Sequence, residues 1–187
     1  MASTIALDDR ECADSVSEEM LLIQKAKKDP EALSRLYRRH YAAISQHVRR
    51  RIGDAHQADD IVGEVFLTMV RELPKYRCRG IPFRVWLYKL ATTQICRWAR
   101  KQRFVFTLKE MNDVADTRSD DASDDAELDG IRGALLNLPE KYQNVISLYY
   151  LEGVPVSDIA LLLRRPEGTI KTWLRRGREQ LRNRLEK

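Results

Sequence analysis

The sequence predicts an all-α protein: two small helical domains joined by an acidic, flexible linker. Apolar residues recur at three- and four-residue intervals along most of the chain, and no stretch alternates apolar with polar residues as a half-buried strand does. Residues 107–127 interrupt this periodicity with a net charge of −6 and few large apolar side chains. The predicted divisions are a disordered N-terminal extension over 1–16, a first domain over 17–106, the linker over 107–127 and a second domain over 128–187.

Composition favours a polyanionic partner. The 187 residues carry a net charge of +5 with a pI near 9.2, and the first predicted domain alone carries +10. Three widely spaced cysteines (Cys12, Cys78 and Cys96) indicate a reducing cytoplasm and no disulfide framework, and their role is left open. The histidines are not at metal-ligand spacing, so neither a metal nor another cofactor is expected. No signal peptide or membrane-spanning run is recognisable, and the expected location is the cytoplasm.

Four helices are predicted in the first domain. They run over 17–28, from Pro30 to about Ile52, over about 55–73, and over about 83–103. The third helix carries Asp59, Asp60 and Glu64 near its start, where acidic groups favour the helix dipole. The predicted apolar stripes include Tyr37 and Tyr41 in the second helix, Val70 in the third, and Leu87, Leu90, Ala91, Ile95 and Trp98 in the fourth.

The fourth helix contains no acidic residue and follows a basic loop, Pro74–Pro82, that carries Gly80. Once its apolar stripe faces the core, a second set of side chains faces outward: Arg84, Tyr88, Thr92, Thr93 and Arg100, with Arg97 nearby. Aromatic rings interleaved with cations suit single-stranded nucleic acid, because rings stack on bases and cations follow the backbone. For Trp86 and Trp98, a place in the core is the competing interpretation.

Near the C-terminus, a short helix over 157–163, a tight connection over 164–168 and a basic helix over 169–184 have the form of a helix-turn-helix. Residues 164–187 contain nine Lys or Arg against three Glu. Such a helix suits the major groove, where cations gain by releasing counterions condensed on the phosphates. The alternative is an ordinary C-terminal helix with a solvated basic face. The helix and turn that precede it favour DNA binding instead.

Three segments resemble the extracytoplasmic-function (ECF) sigma factors, the small two-domain group of the sigma-70 family. They are AHQADDIVGEVFLTMVREL, then FRVWLYKLATTQICRWARK, then LNLPEKYQNVISLYYLEGVPVSDIALLLRRPEGTIKTWLRRGREQLR. The likeness extends from about residue 20 to the end, in the family's order. It implies a specificity subunit of bacterial RNA polymerase, with the first domain as region two and the second as region four. Its partners would be core polymerase (the β′ clamp helices and the β flap) and promoter DNA, as duplex and as non-template single strand. The sequence leaves open whether an anti-sigma factor also binds.

The resemblance also implies three sets of contact residues, with the acidic linker threading through the polymerase. The set at the polymerase is Asp60, Glu64 and Arg71, with Phe66 and Met69 near it. The set that captures the unstacked non-template strand of the −10 element is Arg77, Arg79, Gly80, Arg84, Tyr88, Thr92, Thr93, Arg97 and Arg100. The set at the −35 element is Thr169, Lys171, Thr172, Arg175, Arg176 and Arg178.

Five positions depart from the family's usual pattern: Gly63 replaces a common Gln, Thr93 and Arg97 a common Asn and Asp, Arg164 a frequent Gly, and Trp173 a common Arg. They make any transfer of a promoter sequence unsafe. The main alternative function is a stand-alone helix-turn-helix regulator that binds duplex DNA. An enzyme is not expected, because the basic domains lack the convergent carboxylates of a two-metal site and any nucleophile–base pair.

Overall fold

The computed structural model describes residues 18–77, 80–111 and 126–186, and within these ranges it contains helices and no strand. The all-α prediction is confirmed. The predicted N-terminal extension, residues 112–125 of the predicted linker, and Cys12, Cys78 and Arg79 lie outside the described residues. In the described ranges, no helix has the length and apolarity needed to cross a bilayer.

The first four helices form an N-terminal bundle. Their bounds are 18–26 for α1, Pro30–Arg49 for α2, Ala55–Glu72 for α3 and Phe83–Met111 for α4, with a 3₁₀ turn over Leu73–Lys75 after α3. Asp29 caps α2 by accepting a hydrogen bond from the Glu31 amide at 2.9 Å, and Asp54 caps α3 through the Gln57 amide at 2.8 Å. No acidic residue lies in the first turn of α3, so the N-terminal role predicted for Asp59, Asp60 and Glu64 belongs instead to Asp54.

The core of this bundle lies where α2, α3 and α4 meet. Leu36, Ile44, Val65, Leu87 and Ile95 are fully shielded from solvent there. Three residues of the predicted apolar stripes differ: Tyr37, Tyr41 and Val70 keep exposed fractions of 39%, 37% and 44%. Periodicity places a residue on a face of its helix but does not say how far the core extends across that face.

Helix α4 is longer than predicted. It continues past Arg103 to Met111, so residues 107–111 are helical where the linker was expected to begin. The stretch from Phe83 to Met111 contains neither Gly nor Pro, the two residues that most often end a helix. The acidic composition that marked the linker therefore begins before the helix ends.

The remaining helices form a C-terminal bundle: α5 over Ala126–Leu136, α6 over Glu140–Ile146, α7 over Val156–Leu163 and α8 over Glu167–Leu185, with a π-helical turn over Ser147–Leu151 after α6. Pro155 and Pro166 immediately precede α7 and α8, where the missing amide hydrogen costs nothing. Ile159 of α7 packs in one core with Ile170 and Leu174 of α8. The predicted helix-turn-helix is confirmed, with α8 starting two residues earlier than expected.

The turn between α7 and α8 depends on a left-handed residue. Arg164, which follows α7, has φ 53° and ψ 50° and is the one non-glycine residue with positive φ in the described ranges. A side chain in this conformation costs about 1–2 kcal/mol, because its Cβ approaches the carbonyl oxygen. ECF sigma factors commonly have Gly at this position, and Gly adopts positive φ without strain. Arg164 in its place therefore introduces local backbone strain into the turn.

Replacing Arg164 by Gly should therefore stabilise the protein. Relief of strain is offset by about 0.4–1 kcal/mol of added unfolded-state entropy, which leaves a net gain of about 0.5–1 kcal/mol. Urea unfolding followed by circular dichroism measures this. Arg165→Gly is the matched control, because Arg165 does not have positive φ. A lower unfolding midpoint for Arg164→Gly than for Arg165→Gly would contradict the assignment of strain.

The two bundles pack against each other. Helix α4 of the N-terminal bundle contacts α5, α6 and the π-helical turn of the C-terminal bundle. The sequence predicted two domains separated by a linker and gave no sign of this contact. The face of α4 that lies outside the N-terminal core is therefore covered in part by the second bundle.

Candidate nucleic-acid and protein-docking surfaces

The outer face of α8 presents the cations that the sequence assigned to duplex DNA. Lys171, Arg175, Arg176 and Arg178 are exposed. Lys171 and Arg175 form ion pairs one turn away on the same helix, at 3.8 Å and 3.6 Å. Among the described residues, no carboxylate lies within ion-pair distance of Arg176 or Arg178. Because exposed ion pairs exchange partners at little cost, all four cations can turn to phosphates or base edges.

The two predicted threonines lie at the start of the same helix and are half-buried. Thr172 donates a hydrogen bond to the Gly168 carbonyl at 2.8 Å, which leaves its oxygen free to accept another. Thr169 donates its backbone amide to the Pro166 carbonyl at 2.9 Å. All six residues predicted for the −35 element thus belong to one helix, with Ile170 and Leu174 holding the opposite face in the core.

The loop before α4 borders a basic and aromatic cleft of about 380 Å³. Gly80 has φ +75°, which confirms the tight turn predicted there, and Arg77 is exposed. The rings of Tyr76, Phe83 and Trp86 pack on one another with centroids 4.8–5.1 Å apart. The cleft is lined by Glu72, Lys75, Tyr76, Arg77, Ile81, Trp86, Lys89, Leu162, Leu163 and Arg164. Cations around aromatic rings are suited to an unstacked base and its phosphate.

The predicted single-strand face of α4 is only partly accessible. Arg84, Arg97 and Arg100 are exposed and Thr93 is half-buried, as expected of an outward face. Tyr88 and Thr92 were predicted to face outward, and this is wrong for the structure as it stands: their exposed fractions are 5% and 0%. Thr92 accepts a hydrogen bond at 3.1 Å from Arg51, which lies in the turn just after α2. The C-terminal bundle covers Tyr88, whose hydroxyl is hydrogen-bonded to Glu152 of that bundle.

A polar network joins the two bundles over this face. The His47 ring lies 2.7 Å from a Glu152 carboxylate oxygen, and Tyr88 donates to the same carboxylate. Burial lowers the pKa of His47 despite that bond, so the ring is neutral near pH 7 and donates through Nδ1. Burial would raise the pKa of Glu152, but the hydrogen bonds from His47 and Tyr88 and the charge of Arg50 bring it below its usual value. Glu152 is therefore an anion, held by donors from the other bundle.

A stripe along α3 carries the residues predicted for polymerase contact. Asp60, Glu64 and Arg71 lie on it and are exposed. Phe66 and Met69, predicted near this surface, are buried with exposed fractions of 5% and 0%, and neither is available for direct contact. Their helical positions face α2 and α4, because the period of 3.6 residues turns them away from the stripe.

Two apolar side chains complete this surface. Leu67 and Val70 of α3 are 58% and 44% exposed, and neither was among the predicted contact residues. Leu67 lies three residues after Glu64 and four before Arg71, so its helical spacing could have revealed it. Beside α3, Tyr37 and Tyr41 pack on Phe66 at 4.5 Å and 6.1 Å between centroids. Exposed apolar residues bordered by charges are typical of a protein-docking surface.

Among the described residues, no three His, Cys, Asp or Glu side chains are grouped to hold a metal ion. Cys96 is a buried free cysteine, and burial raises its pKa to about 11. A thiol with that pKa is protonated at neutral pH and is a weak nucleophile.

Together these surfaces describe a helical protein with a helix-turn-helix in one bundle, and with a basic, aromatic cleft and an exposed apolar stripe bordered by charges in the other. The sigma-70 region 2 family model matches residues 36–105, and the sigma-70 region 4 model matches residues 128–181. The ECF RNA polymerase sigma factor SigW of Bacillus subtilis (strain 168) is 30% identical over 177 residues, which span 87% of this chain and 93% of the relative. The chain belongs to the ECF sigma factors of the sigma-70 family.

Solved structures share the fold. CnrH, in a complex with the cytosolic domain of CnrY, aligns with a TM-score of 0.57 and 23% identity over 89% of this chain and 96% of its own. The sigma factor RpoE, in a complex with the anti-sigma factor NepR from Bartonella quintana, aligns with a TM-score of 0.53 and 17% identity over 82% and 96%. At these identities the likeness concerns the arrangement of helices.

Proposed function

We propose that this protein is a promoter-specificity subunit that brings core RNA polymerase to DNA and opens the duplex there. The observation that carries the proposal is the presence, on one chain, of three features: the exposed cations of α8, the basic and aromatic cleft beside Gly80, and the exposed apolar residues bordered by charges on α3. A regulator that binds duplex DNA alone needs α8 but has no use for the other two surfaces. The proposed roles divide the chain into a region-two domain over 17–106 and a region-four domain over 128–187.

For the −35 element, the proposed reader is α8. A helix of this width fits the major groove, and its exposed cations release counterions as they approach phosphates. Arg176 and Arg178 have no ion-pair partner among the described residues and are the best placed to reach base edges. Lys171 and Arg175 suit the backbone, because their acidic neighbours on α8 moderate their charge.

For the −10 element, the proposed reader is the loop at Gly80 together with the cleft beside it. Melting requires a surface that favours unpaired bases, because the cost of unstacking must be recovered by contacts in a pocket. The aromatic cluster of Tyr76, Phe83 and Trp86 offers stacking contacts, while Arg77 and Arg84 supply positive charge.

The proposed protein partner is core polymerase, bound by its β′ clamp helices at the α3 stripe and by its β flap at the C-terminal domain. The protein would act in the cytoplasm, by binding rather than by catalysis. The relative RpoE is bound by an anti-sigma factor in its solved complex, and an anti-sigma factor is a candidate partner here.

The test compares DNA binding with and without core polymerase. We expect this protein to co-elute with core enzyme and to bind duplex promoter fragments tightly only when core enzyme is present. Tight binding to specific duplexes without polymerase, together with no co-elution, would favour the stand-alone regulator instead.

Replacing Arg176 by Ala should weaken polymerase-dependent binding at the −35 element by about 1–3 kcal/mol if the guanidinium reads a base. A phosphate contact would weaken all sequences alike and lower the salt dependence. Fluorescence anisotropy at several salt concentrations measures both. Arg182→Ala, later on the same helix, is the matched control. Equal affinities for wild type and Arg176→Ala at every salt concentration would show that α8 does not lie in the groove as proposed.

A further inference from the structure

Helix α8 has two chemically different edges on either side of its buried face. Each residue of an α-helix advances about 100° around the axis, so residues three or four apart share an edge. Ile170 and Leu174 are buried and fix the direction of the core. On one side of them lie the exposed cations Lys171 and Arg175, and on the other side lies Trp173. The first edge suits phosphates, and the second edge requires another kind of contact.

Trp173 is held in place on the second edge. It is half-buried, because part of the indole packs against the core of the C-terminal bundle while the rest stays accessible to solvent. Thr169 lies one turn before it and Arg176 one turn after it, so the ring adjoins two residues of the surface proposed for the major groove. A ring fixed by core packing loses little conformational entropy when DNA binds.

The polar groups of this edge limit which bases it can read. An indole has one hydrogen-bond donor and no acceptor, so it cannot form the paired bonds by which arginine reads guanine or asparagine reads adenine. The neighbouring Thr172 donates its hydroxyl hydrogen to the Gly168 carbonyl at 2.8 Å and has none left to donate to a base. What the edge offers to base pairs is therefore mainly apolar: the indole ring of Trp173 and the methyl group of Thr172.

One base matches an apolar edge of this kind. Thymine presents a C5-methyl group in the major groove, and the other three bases present none. Covering one methyl group with apolar surface strengthens binding by roughly fourfold. A ring that packs on such a methyl group therefore favours an A·T pair without any hydrogen bond to the base.

We propose that Trp173 is a specificity-determining residue for the −35 element, where its ring contacts the methyl group of a thymine. The inference rests on the proposed placement of α8 in the major groove and deepens it by naming a base. Arg176 and Trp173 then have different tasks on one helix: the guanidinium forms hydrogen bonds, and the indole selects a methyl group.

The test replaces thymine by uracil, which removes the methyl group and keeps every hydrogen-bonding atom. The full chain with core polymerase first enriches its preferred duplexes from a library randomised over the −35 element. Each thymine of an enriched −35 element is then replaced singly, and the affinities of the two duplexes are compared by fluorescence anisotropy. At one position, wild type should bind the uracil duplex roughly three- to fivefold more weakly than the thymine duplex.

Two variants assign that difference to the indole. Trp173→Ala should bind the thymine and uracil duplexes equally, and a ratio taken within one variant is insensitive to a general loss of stability. Leu181→Ala is the matched control, because Leu181 is also half-buried against the same core, two turns later on α8, and its variant should keep the wild-type ratio.

Trp173→Arg keeps the proposal testable if the alanine variant does not fold. The long apolar stem of arginine can cover the same part of the core. This variant should also bind the two duplexes equally, and a repeated enrichment should favour a G·C pair at the position where wild type favours A·T.

Equal binding of the thymine and uracil duplexes by wild type at every position would overturn the proposal. So would a thymine preference that persists in Trp173→Ala or Trp173→Arg, or one that is lost equally in Leu181→Ala. Each of these results leaves polymerase-dependent binding, and with it the proposed function, standing. Failure to enrich any duplex would instead count against the proposed function, and the role of Trp173 would fall with it.

Discussion

Replacing Gly177 by Leu should destabilise the C-terminal bundle by about 2–3 kcal/mol. A Cβ at this position of α8 would lie 2.8 Å from Ile146 Cδ1 and 3.3 Å from Tyr142 Cβ, both on α6. The absence of a side chain is what lets the two helices approach, and a leucine adds three further carbons to the same space. The loss exceeds the fraction of a kcal/mol that leucine gains over glycine in helix propensity.

Gly168 provides the matched control for this experiment. It lies in the first turn of the same helix, and a Cβ there meets nothing within 4 Å. Gly168→Leu should therefore be neutral or slightly stabilising, and the difference between the two variants isolates the steric cost. Urea unfolding monitored by circular dichroism gives both values. A Gly177→Leu protein as stable as Gly168→Leu would show that α6 and α8 do not cross this closely.

Reversing two charges on the α3 stripe, Asp60→Lys with Glu64→Lys, should weaken binding to core polymerase by a factor on the order of ten to one hundred. Both side chains are exposed, so the fold should tolerate the change. A repulsive charge at the edge of an interface disfavours association even where the apolar contacts of Leu67 and Val70 are retained. Competition against a labelled sigma factor for core enzyme measures the effect.

The control for the stripe reverses two exposed carboxylates elsewhere on the same bundle, Glu18→Lys with Glu31→Lys, which gives an identical change in net charge. Its affinity for core enzyme should stay within about twofold of wild type. If both double variants bind equally well, the docking surface lies on another face. If both lose affinity equally, the effect is one of overall charge.

The helices themselves were largely predictable, because periodicity and capping are local signals. Pro30 marked the start of α2, whose end at Arg49 comes about three residues before the predicted one, and the short connection before α8 marked the helix-turn-helix. The end of α4 was missed because acidic composition was interpreted as a linker, although no helix-breaking residue precedes Met111. Composition describes solvation, and a solvated segment can remain helical.

The site was predictable where it is local and missed where it depends on packing. The cations of α8 follow from one helical face. The pairing of Glu152 with His47 joins residues 105 positions apart, and no spacing rule connects them. For the same reason Tyr88 was expected at the surface, but its ring packs on His47 with centroids 5.0 Å apart, its hydroxyl donates to Glu152 of the second bundle, and it is buried.

Run-off transcription by core RNA polymerase on a library of genomic promoter fragments, with and without this protein, distinguishes a specificity subunit from a duplex-binding regulator. A specificity subunit should produce transcripts from a discrete subset of fragments, only when it is present. It should also expose unpaired thymines to permanganate near the start sites. Specific binding to fragments with no added transcript and no permanganate reactivity would contradict the proposed function and favour a duplex-binding regulator.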